Sequence, residues 1–101
     1  MAKQLTLTSV AVLHAIAHGA RHGFEIIDRV DAPGGTVYPA LTRLERDGLL
    51  TSDWENVETS RREKRPPRRY YAITPAGVRA LNEALARVHA MTPVRLRRSD
   101  R

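Results

Sequence analysis

Four stretches of the chain space their apolar residues for helices, and two space them for strands. From Leu5 to Ala17, the residues Leu7, Val10, Ala11, Ile16 and Ala17 are interleaved with Val12, Leu13 and Ala15, so the segment is apolar nearly all round. A helix of that kind has to be covered on more than one side, and in a small domain a second subunit is one cover and the rest of its own domain another. Thr6 or Thr8 can cap its start, and His18-Gly19 closes it. Phe24, Ile27 and Val30 recur every third residue and predict a second helix over 24–30. Val37, Leu41 and Leu44, at i, i+4 and i+7, predict a third. Thr36 is its expected N-cap, Pro39 falls in the first turn, where a missing N–H breaks no bond, and Gly48 takes the left-handed position after the end.

Leu50–Glu55 and Arg68–Thr74 read as strands, with Leu50, Ser52 and Trp54 on one face of the first and Arg69, Tyr71 and Ile73 on one face of the second. Residues 56–67 between them are long for a hairpin loop. Thr74-Pro75 opens a last helix over 75–91, the threonine as N-cap and the proline at the first helical position. Val78, Leu81, Leu85 and Val88 follow one another at three, four and three residues, the spacing of a coiled-coil seam; packing on its own domain is the other use of such a stripe. Thr92-Pro93 is the expected stop, leaving 92–101 as a basic, flexible tail. On period alone the first three helices would suit a plain bundle. The strand pair behind them favours a winged helix-turn-helix, mostly α with a small β-hairpin, in which the third helix reads DNA and the hairpin is the wing.

Charge sharpens that reading. A net charge of +6 and a pI near 10.7 favour an anionic partner, nucleic acid before an acidic membrane surface. Arg61, Arg62, Lys64, Arg65, Arg68 and Arg69 crowd the wing and its exit, with Glu63 as the nearby acid. They are candidates for phosphate or minor-groove contact. On the third helix, Thr36, Tyr38, Pro39, Thr42 and Arg43 lie off the apolar face, toward the end from which helix-turn-helix proteins make base contacts. Arg43 is the candidate for a guanine edge, a phosphate being the alternative. RNA binding is disfavoured because only 5% of residues are aromatic and could stack on bases.

Little points to catalysis. The chain has no cysteine, which removes disulfides and thiolate metal sites. His14 and His18 share a helical face, but two imidazoles alone make a weak metal site, and no cofactor is expected. No serine has a nucleophile context, so an enzyme is not expected. There is no apolar run of ~18 residues and no basic-then-apolar start, so a cytoplasmic protein without a membrane partner is expected.

The segments Gly35-Thr36-Val37-Tyr38-Pro39-Ala40-Leu41, Arg43-Leu44-Glu45 and Gly48-Leu49-Leu50 resemble the signature of PadR-type transcriptional regulators. His22-Gly23-Phe24-Glu25-Ile26-Ile27, Trp54, Arg69-Tyr70-Tyr71-Ala72-Ile73-Thr74, and Gly77 before Leu81 agree with it in the same order, over roughly residues 5–91. The resemblance implies a dimeric winged-helix DNA-binding protein, usually a repressor, on a near-palindromic operator. It also implies the short branch of the family, without an extra C-terminal helical domain. Residues 1–91 would form the DNA-binding domain, dimerised through Val10, Leu13, Val78, Leu81, Leu85 and Val88. A winged-helix protein-interaction module that binds no DNA is the rival reading. Family members often answer to small-molecule effectors, and Phe24, Trp54 and Tyr70 could line a pocket. Each is expected in the core instead, where aromatics are usually buried.

Overall fold

The computed structural model describes residues 4–91. Helices α1 (Leu7–Ala17), α2 (Gly23–Val30) and α3 (Gly34–Arg46) are followed by strand β1 (Leu50–Trp54), a short helix α4 (Val57–Arg62), strand β2 (Arg69–Ile73) and helix α5 (Pro75–Met91). The expected stop at Thr92-Pro93 and the tail 92–101 lie outside the described residues.

The apolar stripes meet in one core. Val12, Leu13 and Ile16 of α1, Ile26 of α2, Val37, Leu41 and Leu44 of α3, Leu50 of β1 and Leu81 of α5 are all buried together. Thr6 caps α1, its hydroxyl accepting from the Ser9 amide at 3.0 Å. Gly19 takes φ +106° just beyond α1, the left-handed conformation that ends a helix without a Cβ penalty. The hairpin pairs Leu50 with Ile73, Ser52 with Tyr71 and Trp54 with Arg69, the residues read onto one face of each strand. A further bridge joins His22 to Tyr70, and the Tyr71 amide donates to the Arg21 carbonyl at 2.8 Å. The link between α1 and α2 is thus an extra edge to the hairpin, which tethers the wing base to α2.

The start of α3 and the wing loop differ most from expectation. α3 starts at Gly34, with Pro33 rather than Thr36 as its N-cap, because the Pro33 carbonyl accepts from the amides of both Thr36 and Val37. Pro39 therefore sits in the second turn and leaves the Gly35 carbonyl without its helical donor, at a position open to water. The expected irregular wing loop contains α4. Asn56 caps it by accepting from the Glu58 amide at 2.7 Å, and Lys64 turns the chain out of it at φ +58°.

α5 begins as the Thr74-Pro75 pair predicts, with the Thr74 hydroxyl accepting from the Gly77 amide at 3.0 Å and donating to the Gly48 carbonyl at 2.8 Å. Gly77 lies so close to the turn before β1 that a Cβ there would strike the Leu49 carbonyl oxygen. Gly77, Leu81 and Ala84 face the domain, whereas the residues from Leu85 to Met91 are all exposed. No helix among the described residues is long and apolar enough to cross a membrane.

Candidate nucleic-acid interface

α3 divides its side chains by function. Val37, Ala40, Leu41 and Leu44 enter the core, while Thr36, Tyr38, Pro39 and Thr42 are exposed and Arg43 is half-buried. Arg43 makes no ion pair among the described residues, so its guanidinium is available. The Thr42 hydroxyl donates to the Tyr38 carbonyl at 3.1 Å, which leaves its oxygen free to accept. The first turn of α3 contains no acid and Pro33 offers no side-chain cap, so no carboxylate on this helix offsets the positive end of its dipole. Tyr38 leans across Gly23 and Gly34, where an added Cβ would run into its ring. Those two glycines let the ring bridge α2 and α3 while remaining 45% exposed.

The wing cations fall into separate groups. Arg61, Arg62 and Lys64 are exposed around α4, and Arg61 lies 3.6 Å from the equally exposed Glu58. Arg65, expected among the free charges, is instead clamped. It donates from Nη1 and Nη2 to the two oxygens of Glu55 at 2.7 and 2.8 Å. The Arg68 amide and the Tyr70 hydroxyl reach the same carboxylate, at 3.1 and 3.4 Å. The Arg65 guanidinium, ahead of the other donors, holds the Glu55 carboxyl at about 2, well below the usual range. Sequence reading missed this clamp because Glu55 stands ten residues before Arg65 and only the turn of α4 brings them together. The Arg68 guanidinium has no ion pair among the described residues. Arg69 donates to the Ser52 hydroxyl at 2.9 Å, lies 3.8 Å from Glu45 and covers the Trp54 ring at 5.1 Å.

The residues named for self-association are placed unevenly. Leu13 is fully enclosed by its own chain and Leu81 is 4% exposed, so neither offers surface to a second copy. Val10 is half-buried, and Val78, Leu85, Val88 and Met91 form an exposed apolar stripe on α5, with Leu7 of α1 exposed as well.

Phe24 and Trp54 are not in the core: they are 74% and 64% exposed. They border a cleft of about 580 Å³ between α2, α3 and the wing, whose lining also includes Tyr38, Tyr71, Pro66, Pro67 and Arg68. His22, at its inner edge, is buried, which pushes its imidazole pKa down, with Glu25 opposing at 3.7 Å. His14 and His18 stack with ring centroids 4.2 Å apart, and among the described residues no three potential metal ligands converge.

Comparison with known proteins agrees with this arrangement. Residues 12–83 match the model of the Transcriptional regulator PadR-like family. The chain is 39% identical over 77 residues to Transcriptional regulator Rv3488 of Mycobacterium tuberculosis, a match covering 71% of this chain and 66% of that protein, just under two thirds. A PadR family transcription regulator from Clostridium difficile R20291 has the same fold, at TM-score 0.74 and 23% identity over 85% of this chain and 91% of the other. A PadR-like transcription factor from Bacteroides fragilis superposes with TM-score 0.70 and 27% identity, covering 82% and 81% of the two chains. With α3, the hairpin and the family model all falling on the same residues, the chain belongs to the PadR-like family of transcriptional regulators.

Proposed function

We propose that this regulator is a repressor that binds a near-palindromic operator as a homodimer, in the cytoplasm where the chromosome lies. The observation that carries the reading is the division of α3. Its inner face is locked into the core, while its outer face presents Thr36, Tyr38, Pro39, Thr42 and Arg43, which has no ion pair among the described residues, beside a basic wing. A rigid helix with hydroxyls and a guanidinium on its free face suits the major groove, and Arg43 fits the paired acceptors of guanine. Arg61, Arg62, Lys64 and Arg68 would hold flanking phosphates; Arg65 would support them by fixing the wing. Residues 1–91 act as the DNA-binding unit.

Dimerisation would run through α5. Val78 and Leu85, both exposed apolar residues, would lie against a second copy, with Val88 beside them. Two copies related by a two-fold axis would place their recognition helices about one helical turn of DNA, or a multiple, apart. A dimer seated on promoter DNA excludes polymerase, which makes repression the direct outcome. A mobility shift with DNA from beside its own gene tests the reading. Wild-type protein should retard the fragment and Arg43→Ala should lose ~1–3 kcal/mol of preference for it over scrambled DNA. Equal retardation of both DNAs by wild type would overturn sequence-specific binding.

A further inference from the structure

The cleft between α2, α3 and the wing shares only Tyr38, Arg65 and Arg68 with the proposed DNA surface and its support. The chain has five aromatic residues outside histidine, and four of them, Phe24, Tyr38, Trp54 and Tyr71, line this one space. Scarcity of aromatics counted against base stacking in the sequence, but their gathering reverses that inference. Phe24 and Trp54 are mostly exposed and both border this space, and clustered exposed rings mark a binding surface more than scattered ones do.

The lining also includes Arg65, Arg68 and Arg69 and no carboxylate. Glu55 neutralises Arg65 and Glu45 lies 3.8 Å from Arg69, whereas the Arg68 guanidinium has no ion pair among the described residues. Arg69 lies over one face of the Trp54 ring, its guanidinium carbon 5.1 Å from the ring centroid. The volume, about 580 Å³, is that of a site for a compact organic ligand, with room beyond a single ring. Flat walls call for a flat ring system, and an uncompensated guanidinium calls for an anion, phosphate above all.

We propose that the cleft binds a free nucleotide, its base against the Trp54 and Phe24 side chains and its terminal phosphate on Arg68. Tyr38 and Arg68 belong both to this cleft and to the proposed DNA surface. Nucleotide and operator therefore exclude one another, a consequence that rests on the DNA-binding reading.

Trp54 is the only tryptophan, so its indole N–H resonance reports on this cleft alone. The full chain would be titrated with AMP, adenosine and inorganic phosphate while that resonance is followed. AMP should shift it saturably, adenosine should bind at least tenfold more weakly, and phosphate alone should leave it in place. Arg68→Gln should reduce AMP to the level of adenosine. Calorimetry on Trp54→Leu, which changes an exposed side chain, should show AMP binding lost with an unchanged far-UV spectrum. No shift at millimolar AMP would overturn the proposal. So would benzoate binding as tightly as AMP, which would mark a general aromatic-acid site. A short single-stranded oligonucleotide binding tenfold tighter than AMP would assign the cleft to a strand instead of a free nucleotide. These titrations contain no duplex, so they stand or fall apart from operator binding. Added to an operator complex, AMP should raise the apparent Kd in proportion to its concentration without a plateau; a plateau would overturn mutual exclusion.

Discussion

Replacing Arg61, Arg62 and Lys64 together with glutamine separates grip on DNA from the fold of the wing. All three side chains are exposed, and the Arg61–Glu58 pair has 72% and 68% of its side chains in solvent. Such a pair contributes about 0–1 kcal/mol, so the variant should fold. Each phosphate contact adds about 0.9 to the slope of log affinity against log salt. Three cations thus account for ~2.7 in one protomer and roughly 5 in a dimer. Between ~50 and ~200 mM salt, the wild-type protein should weaken by roughly 10³ more than the variant. Arg65→Gln is the matched control. Its charge is already taken up by Glu55, so the slope should change by less than about one unit while the Arg68 amide exchanges faster with solvent. The assay is fluorescence anisotropy on one duplex at five salt concentrations. If the triple variant keeps the wild-type affinity and slope, the wing charges are a solvated surface and the reasoning is refuted.

The other expectations concern stability and assembly. Glu55 has a folded pKa of about 2 against an ordinary value of 4.5, so the clamp contributes fully above pH 4.5 and is lost as pH falls toward 2. Urea unfolding of wild type should show that loss, and Glu55→Gln should flatten it. Gly77→Ala would gain ~1 kcal/mol of helix propensity but drive a methyl into the Leu49 carbonyl, so a net loss of about 1–3 kcal/mol is expected from urea unfolding at fixed protein concentration; a more stable variant would contradict that close approach. Leu85→Glu with Val88→Glu should sediment as a folded monomer at micromolar concentration, whereas Leu81→Glu should unfold, because only Leu81 is inside the domain. A folded Leu81→Glu variant or a dimeric double variant would contradict the division of α5.

What the sequence made legible was periodic or local. The apolar spacing of α3, the Thr74-Pro75 start of α5, the Thr6 cap and the strands β1 and β2 each depend on residues a few places apart or on simple alternation. What it hid depended on contacts across the fold. Glu55 and Arg65 meet only because α4 folds the wing back. Leu13 sits in a helix apolar on every side, so its pattern alone could not tell its own core from a partner's surface. The general behaviour of aromatics puts Phe24 and Trp54 inside, whereas α2 and the end of β1 hold them at the rim of a cleft. Thr36 is an apt cap by type, but the Pro33 carbonyl accepts from the Thr36 and Val37 amides, so the helix starts earlier, at Gly34.

Sequence-specific reading by α3 is tested most directly by selecting from random duplexes with the purified protein and sequencing those retained. Wild type should enrich one motif with two-fold symmetry, its half-sites centred about 10–10.5 base pairs, or a multiple, apart. Arg43→Ala should enrich the same motif with preference lost at one symmetric position in each half. Recovery of no common motif, or of one that Arg43→Ala leaves unchanged at every position, would contradict the assignment of α3 as the reading helix.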